Sequence, residues 1–476
     1  MTSEPSQVLP TEVSPRPAPA AGGHLIAYEG NADSSLFSQV SARHVVGRAV
    51  VIWLTAYFTL RFDHEIGASL GIASLVTAIW LPCAQWASRV SRTMALALGT
   101  FATAGVAALA GLAAFSAVEL WVPGLAIGKR STATLAVLIF LVIGIWDYFV
   151  RRAAQAPRRV LVVGGADTTR QLLDDLEREK LRLFEVVAIV DDDVHPDLRL
   201  RVGHVGSLED LSRVVERVAP DLVVVAVTRD RPEVFRQLLH VASAGFRVVG
   251  LPEVYEFAFG RLPVRNLTAA WFMSALHLYN QPYSRFSKRA FDVTIATLGL
   301  IATLPVAPLV LLVIKRTPGP LLFRQRRIGE NGGVFTMLKF RSMRTDAEPG
   351  GEAVWASKRD PRVIPGGHLL RRSRLDELPQ LWNVLRGDMS IVGPRPERPE
   401  FVAQLEAEIP FWTRRHLLKP GITGWAQIRA DYAADTLGTE QKLAYDLWYL
   451  RHRSLLLDAV ICLKTIPGMV SGRGAR

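Results

Sequence analysis

Two adjacent acidic residues, Asp376 and Glu377, lie in a strongly basic stretch of the chain. Arg371, Arg372 and Arg374 come shortly before them. Fixed positive charges keep a neighbouring carboxylate ionised, so that it can ligate a metal or attack phosphorus as a nucleophile. Most Asp-Glu pairs are solvated helix surface, so this pair predicts phosphate chemistry only together with the residues around it.

Two basic residues upstream of the acidic pair are two positions apart in a predicted strand. Lys339 and Arg341 lie in the segment 335–343, which has the pattern of a β-strand. A strand has a period of two, so both side chains would lie on one face, about a phosphate's reach apart. The alternative is a solvated strand edge.

Two proline- and glycine-rich segments follow the acidic pair. In Gly393-Pro-Arg-Pro396 the flanking prolines limit the backbone around Arg395, and a rigid arginine suits bidentate phosphate recognition. The alternative is a loop arginine that pairs with a surface acid. The segment Lys419-Pro-Gly-Ile-Thr-Gly-Trp-Ala-Gln427 is a glycine-punctuated loop that either cradles a base or sugar or is a packing turn.

The bulk composition indicates a membrane protein with anionic partners. Hydrophobic residues make up 49% of the 476 residues and the mean hydropathy is +0.20, which is too apolar for an ordinary soluble enzyme. The net charge is +12, and basic residues lie beside apolar segments or among glycine and proline motifs. This favours an anionic membrane surface and a phosphate-bearing substrate, and not nucleic acid. Cys83 and Cys462 are the two cysteines, so neither a disulfide framework nor a cysteine metal site is expected.

The first third of the chain predicts a tail and then a helical membrane bundle. Residues 1–43 are rich in Pro, Ser, Ala and Glu and are predicted to be disordered. Four apolar stretches at 45–60, 66–87, 93–118 and 132–150 each approach the ~20 residues that cross a bilayer. They predict four transmembrane helices within 44–150, the first being the shortest. Their basic flanks place the tail and everything after residue 150 in the cytoplasm.

Residues 158–262 alternate strand and helix patterns, which predicts a Rossmann-like α/β domain with a parallel sheet. One interpretation places a nucleotide on Gly164-Gly165, with Asp191 to Asp193 near the ribose. The full G-x-G-x-x-G spacing is absent, so a structural domain without a cofactor is favoured.

After a predicted connector at 263–285, the apolar segment 291–314 carries Pro305 and Pro308 near its middle. Proline breaks a helix because it removes an amide donor and clashes with the preceding turn. Basic residues flank both ends, which favours a helix that enters the membrane, breaks and returns to the same face. The alternative is a kinked fifth span, which would place the acidic pair outside the cell. The flanking residues are Arg285, Lys288, Arg289, Lys315 and Arg316.

Ordered motifs over residues 286–476 resemble the bacterial sugar transferase domain of the monotopic polyprenyl-phosphate phosphoglycosyl transferases. The order of four spans and a Rossmann-like domain upstream resembles the large members of that family, which initiate exopolysaccharide or O-antigen synthesis. The motifs are Lys288-Arg289-Ala-Phe-Asp292, Pro318-Gly-Pro320, Phe323-Arg-Gln-Arg326, Leu338-Lys-Phe-Arg-Ser-Met343, Leu375-Asp-Glu-Leu-Pro-Gln380, Asn383-Val-Leu-Arg-Gly-Asp-Met-Ser390, Val392-Gly-Pro-Arg-Pro396 and Lys419-Pro-Gly-Ile-Thr-Gly-Trp-Ala-Gln427.

The resemblance implies transfer of a sugar 1-phosphate from a UDP-sugar, with glucose expected before galactose, to undecaprenyl phosphate. It implies that Asp376 attacks the β-phosphorus, expels UMP and forms an aspartyl intermediate, with Glu377 assisting. It also implies Mg²⁺ on Asp376 and Glu377, where the ion would neutralise charge on the two phosphates. The residues implied to hold phosphate oxygens are Lys339, Arg341, Arg371 and Arg395.

The predicted fold class is a membrane protein with an α-helical N-terminal bundle, a Rossmann-like middle domain and a small α/β catalytic domain carrying a re-entrant helix and interfacial helices. The expected location is the bacterial inner membrane, with the catalytic domain on the cytoplasmic face. A membrane-bound nucleotide-sugar dehydratase or epimerase and a non-enzymatic scaffold for polysaccharide assembly are the alternatives. The oligomeric state stays open, with the Rossmann-like domain as a candidate homodimer contact.

Overall fold

The computed structural model describes residues 42–61, 66–93, 100–122, 127–153, 157–226, 234, 236–238, 246–267, 271–272, 282–347, 361–430 and 436–471, apart from residues 165, 182, 193–195 and 204. The predicted tail and much of the predicted connector therefore lie outside the described residues. The chain divides into two compact units, one ending at Phe259 and the other beginning at Gly260. This boundary lies close to the predicted end of the Rossmann-like domain.

A helical bundle opens the first unit. Helices α2, α3 and α4 each contain a segment long and apolar enough to cross a membrane, whereas the apolar part of α1, His44–Leu60, is shorter. Three of the predicted spans are therefore confirmed by length and composition, and the first stays a prediction. The helices are α1 (Ala42–Leu60), α2 (Ile66–Thr93), α3 (Thr100–Trp121) and α4 (Lys129–Ala153).

A buried ion pair joins the shortest helix of this bundle to its neighbours. Arg48 Nε on α1 donates to Asp147 Oδ1 on α4 at 2.8 Å, and both side chains are buried. Arg48 also donates to the Ala84 carbonyl of α2 at 3.4 Å, and Trp146 Nε1 donates to His44 Nδ1 at 3.2 Å. Charged side chains at membrane depth are costly unless paired, so these contacts allow α1 to carry an arginine inside the bundle.

A five-stranded parallel sheet with the order β3-β2-β1-β4-β5 forms the rest of the first unit. Apolar residues on the two faces of the sheet pack into separate clusters with the surrounding helices. The prediction of a parallel α/β domain is confirmed. Its elements are β1 (Arg158–Val163), α5 (Ala166–Arg178), β2 (Phe184–Val190), α6 (Pro196–Arg201), β3 (Val205–Gly206), α7 (Leu211–Val218), β4 (Leu222–Val225), β5 (Arg247–Gly250) and α8 (Leu251–Phe259).

The nucleotide interpretation of this sheet stays a prediction. Gly164 has a φ of +79° where β1 ends, a conformation that glycine adopts without strain. Asp192 accepts a backbone hydrogen bond from Leu208 at 3.1 Å, which is a structural role at the end of β2. Gly165 and Asp193 lie outside the described residues.

The second unit begins with a broken apolar helix. Helix α9 (Pro282–Thr303) and helix α10 (Ala307–Lys315) meet at a bend of 67°. Pro305 lies in the break, and Pro308 lies in the first turn of α10, where a missing amide proton costs little. The chain therefore bends where the two prolines predict it, although the helices extend beyond the predicted segment 291–314.

Short strands and helices after the broken helix form the remainder of the second unit. Strands β6 and β7 are antiparallel and place Phe323 opposite Lys339, and strands β8 and β9 are parallel. The elements are β6 (Leu322–Ile328), β7 (Val334–Phe340), α11 (Gly367–Arg372), α12 (Gln380–Arg386), β8 (Ser390–Val392), α13 (Pro399–Glu408), β9 (Gly421–Thr423), α14 (Trp425–Arg429), α15 (Thr436–His452) and α16 (Leu455–Ser471).

Candidate active site

Three cations from different elements converge on one oxygen of Glu377. Lys339 Nζ lies 3.3 Å from Glu377 Oε1, Arg374 Nη1 lies 3.4 Å from it and Arg395 Nη2 lies 3.6 Å from it. Burial pushes the pKa of Glu377 upward, but Lys339, Arg395 and Arg374 outweigh that effect and lower it to about 2. Glu377 is therefore a fixed negative charge that gathers three cationic side chains around one oxygen.

Asp376 has the opposite electrostatic environment. Its side chain is 7% exposed, and within the described part of the chain its Oδ1 has no hydrogen-bond partner. Burial, and then the charge of Glu377, raise the pKa of Asp376 to about 6, against the opposing effect of Lys339, Arg371 and Arg374. The two carboxylates are thus distinguished by their surroundings: Asp376 keeps an oxygen free for chemistry, whereas Glu377 is engaged by cations.

The turn that carries the pair is built on an unusual backbone conformation. Residues Leu375–Glu377 form a 3-10 turn, and Arg374 before it has a φ of +59°. A left-handed conformation at a residue other than glycine costs on the order of 1–3 kcal/mol and occurs preferentially at functional sites. Because the Arg374 side chain reaches Glu377, the same residue both bends the chain and supplies a cation.

The loop after β8 holds Arg395 at the site through its backbone. The Arg395 carbonyl accepts a hydrogen bond from Arg415 Nη2 at 3.1 Å. The next carbonyl, that of Pro396, accepts one from Arg327 Nη1 at 3.0 Å. With one carbonyl fixed by the buried Arg415 and the next by the partly buried Arg327, the Arg395 guanidinium is presented beside Glu377 with little backbone freedom.

Glycines in the two predicted loop motifs allow their backbones to touch. A Cβ on Gly421 would lie 2.1 Å from the Gly393 nitrogen, and a Cβ on Gly393 would lie 2.3 Å from the Lys419 carbonyl oxygen. Such distances exclude any side chain, so these glycines are required for strand β9 to pack beside β8. The contacts favour the packing interpretation of the segment 419–427.

Arg341 does not lie among the three cations that contact Glu377, so the predicted grouping of Lys339 and Arg341 on one strand face is wrong. Its guanidinium, 4% exposed, donates to four backbone carbonyls after α10 and at its C-terminal end. A Cβ on Gly319, at a φ of +122°, would lie 3.0 Å from Arg341 Nη1, so the Pro318-Gly-Pro320 motif wraps this guanidinium. Arg341 follows strand β7, and its guanidinium supplies donors to carbonyls at and beyond the C-terminal end of α10, where the helix leaves its last carbonyls without intrahelical partners. The acceptors are the carbonyls of Ile314, Thr317, Pro318 and Pro320.

This placement predicts a loss of stability when Arg341 is replaced. In Arg341→Met we expect a lower melting temperature, because each buried carbonyl left unpaired costs about 1–3 kcal/mol. Thermal unfolding in detergent or lipid measures the shift, with exposed Arg324→Met as the matched control. A variant that keeps the wild-type melting temperature and weakens only substrate binding would restore the phosphate-binding role.

A second, partly buried arginine ties the broken helix to the helix that follows the acidic pair. Arg289 on α9 donates to the carbonyls of Val384 and Leu385 on α12 at 2.6 and 2.5 Å. These carbonyls belong to the last turn of α12, where the helix itself provides no amide partner. The arginine of the Lys288-Arg289-Ala-Phe-Asp292 motif therefore fixes α12 against α9.

Asp292 of the same motif anchors strand β8. Asp292 Oδ1 accepts hydrogen bonds from Ser390 Oγ at 3.0 Å and from the Ile391 amide at 3.1 Å. Lys288 lies 3.1 Å from this oxygen and 2.7 Å from Asp458 on α16. The broken helix, strand β8 and the last helix are therefore held together by one buried polar cluster, and β8 leads directly into the Arg395 loop.

Comparison with known proteins identifies the family. A family model described as bacterial sugar transferase matches residues 283–472. Over 330 residues the chain is 33% identical to the UDP-glucose:undecaprenyl-phosphate glucose-1-phosphate transferase of Escherichia coli, and the match covers 67% of this chain and 69% of that relative. The chain belongs to the bacterial sugar transferase family. The resemblance predicted from the motifs is thus confirmed.

Other relatives of this sugar transferase carry different names. The UDP-N-acetylgalactosamine-undecaprenyl-phosphate N-acetylgalactosaminephosphotransferase of Aeromonas hydrophila is 40% identical over 243 residues, covering 51% of this chain and 56% of that relative. The exopolysaccharide production protein ExoY of Sinorhizobium fredii is 39% identical over 228 residues, covering 44% of this chain and 97% of that relative. Three apolar helices and these bacterial relatives indicate a membrane-associated protein.

The predicted site residues of this sugar transferase fall into two groups. Lys339 and Arg395 contact Glu377, and the charge of Arg371 on α11 acts on Asp376. Arg341 is held elsewhere. The contact of Arg374 with Glu377 was not predicted. The two residues are three positions apart, and this spacing is typical of an ion pair on one helical face.

The donor set of this sugar transferase suits a magnesium ion that arrives with its substrate. Among the described residues there is no group of three or more His, Cys, Asp or Glu side chains that could hold a metal. Magnesium is typically bound through one or two carboxylates together with substrate phosphates and water. Asp376, with an unpartnered Oδ1 among the described residues, meets that requirement, whereas Glu377 meets it less well because three cations contact its Oε1.

Proposed function

We propose that this chain transfers a sugar 1-phosphate from a UDP-sugar to undecaprenyl phosphate and releases UMP. The observation that carries the proposal is that the two acids have different surroundings. Asp376 has a buried oxygen without a hydrogen-bond partner among the described residues, and Glu377 gathers three cations beside it. The names of the Escherichia coli and Aeromonas relatives specify the same reaction class. The enzyme is thus a phosphoglycosyl transferase.

In the first half-reaction a carboxylate oxygen of Asp376 attacks the β-phosphorus of the UDP-sugar. The bond from that phosphorus to the bridging oxygen breaks, and UMP leaves with the electron pair. The product is a sugar phosphate joined to Asp376 as an acyl phosphate, and no net proton is taken up or released. Lys339, Arg374 and Arg395, which surround Glu377, would bind the phosphate oxygens and balance their charge.

In the second half-reaction a phosphate oxygen of undecaprenyl phosphate attacks the same phosphorus. The bond to Asp376 breaks, which restores the carboxylate and yields undecaprenyl diphosphate sugar. The bend of 67° and the basic residues at both ends support a re-entrant arrangement of α9 and α10. Several apolar side chains of the two helices and of the break between them are exposed and suit contact with lipid, namely Leu298, Ile301, Leu304, Leu309 and Leu312.

Magnesium is part of the proposal. Asp376 and Glu377 would hold the ion beside the diphosphate of the UDP-sugar. There it would neutralise negative charge on the α- and β-phosphates. Removal of divalent cations with a chelator is expected to stop UMP release, and added Mg²⁺ is expected to restore it.

The proposed donor is UDP-glucose, and the proposed role is initiation of exopolysaccharide or O-antigen synthesis. Curated relatives from Escherichia coli and Klebsiella pneumoniae are named for UDP-glucose, whereas the Aeromonas relative is named for UDP-N-acetylgalactosamine. We place the catalytic domain on the cytoplasmic face of the inner membrane because nucleotide-activated sugars are cytoplasmic. A homodimer through the α/β domain is the proposed assembly.

The test is UMP release by the purified full-length protein in lipid, with undecaprenyl phosphate and a panel of UDP-sugars. We expect release with UDP-glucose, dependent on the lipid phosphate for sustained turnover. Release with UDP-N-acetylgalactosamine or UDP-galactose alone would reassign the donor. No release with any donor would favour the scaffold alternative.

The raised pKa of Asp376 predicts an acid limb in the pH profile. Only the ionised carboxylate is nucleophilic, so turnover should fall below about pH 6, roughly tenfold per pH unit, whereas Glu377, with a pKa of about 2, stays ionised throughout. The pH dependence of kcat/KM for UMP release measures the profile, because this ratio reports the pKa values of the free enzyme. In Glu377→Gln the limb should move to lower pH, because the charge of Glu377 raises the pKa of Asp376. An unmoved limb would show that another group titrates.

A further inference from the structure

Gln380, the first residue of α12, is a buried amide with an unused donor. Its side chain is 3% exposed, and its Nε2 has no hydrogen-bond partner within the part of the chain that the structure describes. An unpaired buried polar group costs about 1–3 kcal/mol, and native proteins rarely retain one without a function. The proposed reaction as stated above makes no use of this residue.

The backbone places Gln380 one turn after the acidic pair. The 3-10 turn Leu375–Glu377 continues through Leu378 and Pro379, both in the right-handed helical region, into α12. Amides along this path donate to carbonyls three residues earlier, as Glu377 does to Arg374, and residues three apart share one face of such a turn. Gln380 therefore lies on the face of Glu377, the acid that gathers three cations. Among the described residues its donor nitrogen has no partner, and neither has the acceptor Oδ1 of Asp376 in the same turn.

A neighbouring amide shows what a structural role looks like in this helix. Asn383 is 1% exposed, and its Nδ2 donates to the Thr336 carbonyl at 2.8 Å and to Asp388 at 3.2 Å. Its Oδ1 accepts from the Leu338 amide at 3.0 Å. Asn383 thus has a partner for both ends of its side chain and joins α12 to strand β7, whereas Gln380 contributes no such contact.

We propose that Gln380 is a catalytic residue whose amide donates a hydrogen bond to a non-bridging oxygen of the phosphoryl group transferred to and from Asp376. The inference rests on the proposed function and deepens it. As Asp376 attacks, negative charge is redistributed over the oxygens of the phosphoryl group, and a fixed neutral donor stabilises that charge without moving a proton.

The inference predicts a loss of activity without a loss of stability. In Gln380→Met, which keeps a similar length, turnover should fall about 100-fold, as when one preorganised donor is removed from an oxyanion site. The melting temperature should stay the same or rise, because the variant removes an unpaired buried amide. Gln380→Leu should behave in the same way.

The experiment compares these variants with Asn383→Leu and the exposed Gln404→Met. UMP release, formation of the covalent intermediate from UDP-sugar labelled in the β-phosphate, and thermal unfolding are measured on each full-length protein in lipid. We expect Asn383→Leu to lower the melting temperature and Gln404→Met to change nothing. Wild-type turnover in a Gln380 variant, or a loss of melting temperature as large as that of Asn383→Leu, would overturn the assignment. Absence of UMP release by the wild-type protein would instead count against the proposed function.

Discussion

Replacement of Asp376 by asparagine is expected to abolish UMP release, with turnover reduced by at least about a thousandfold. The loss follows because an amide cannot form the acyl phosphate, and removal of a nucleophile costs this much or more in enzymes with covalent intermediates. The covalent intermediate, trapped with UDP-sugar labelled in the β-phosphate, should disappear together with turnover. Both quantities are measured on the same preparation.

The stability of Asp376→Asn separates a chemical loss from a folding defect. The ionised carboxylate is buried, and burial raises its pKa to about 6, so the folded protein disfavours the charge that the substitution removes. The melting temperature at neutral pH should therefore stay the same or rise. Asp346→Asn, at an exposed residue that pairs with Arg344, is the control and should keep full activity. An Asp376→Asn protein that still releases UMP and forms the intermediate would show that another residue is the nucleophile.

The broken helix and the parallel sheet were predictable because local rules determine them. A proline inside a helix removes an amide donor and favours a break, and Pro305 lies in the break between α9 and α10. Alternating apolar strands and amphipathic helices specify a parallel α/β domain in most surroundings. The helix ends were predicted less well. Helix α9 begins at Pro282, well before residue 291, because the polar residues of its first turns pair with strand β8, helix α12 and helix α16, and these contacts are not visible in hydropathy.

Arg341 shows where a period-two pattern fails. The pattern predicted Lys339 and Arg341 on one face, but the strand ends at Phe340, so Lys339 contacts Glu377 and Arg341 no longer follows the alternation of the strand. Its guanidinium instead meets carbonyls of residues 314–320, which lie more than twenty residues earlier in the sequence. Long-range satisfaction of helix-terminal carbonyls is a tertiary property, and a single sequence gives no direct signal of it.

The division of labour between Asp376 and Glu377 also depends on tertiary structure. Both acids are flanked by the same arginines in sequence, which predicts similar charge states. In the fold, Lys339 and Arg395 arrive from a strand and a loop and contact Glu377, while Asp376 is buried with an unpartnered oxygen. Sequence identified the pair and most of its cations, and the three-dimensional contacts decide which acid is free to react.

Replacement of Lys339 by methionine should produce the second largest loss. Its ammonium lies 3.3 Å from Glu377 and lowers the pKa of both acids of the pair. We expect turnover at neutral pH to fall about 100-fold, because a cation that stabilises phosphate charge in a buried site is lost. The fold should persist, since Arg374 and Arg395 still contact Glu377.

The pH dependence of UMP release distinguishes this variant from one with a general loss of activity. Without the charge of Lys339, the pKa of Asp376 rises, so the acid limb of UMP release should move to higher pH and raising the pH should recover part of the activity. Arg326→Met, an exposed residue of strand β6 whose partner is Thr336, is the control and should leave both turnover and the limb unchanged. If Lys339→Met reduces turnover equally at every pH, Lys339 acts on the substrate alone and not through the charge state of Asp376.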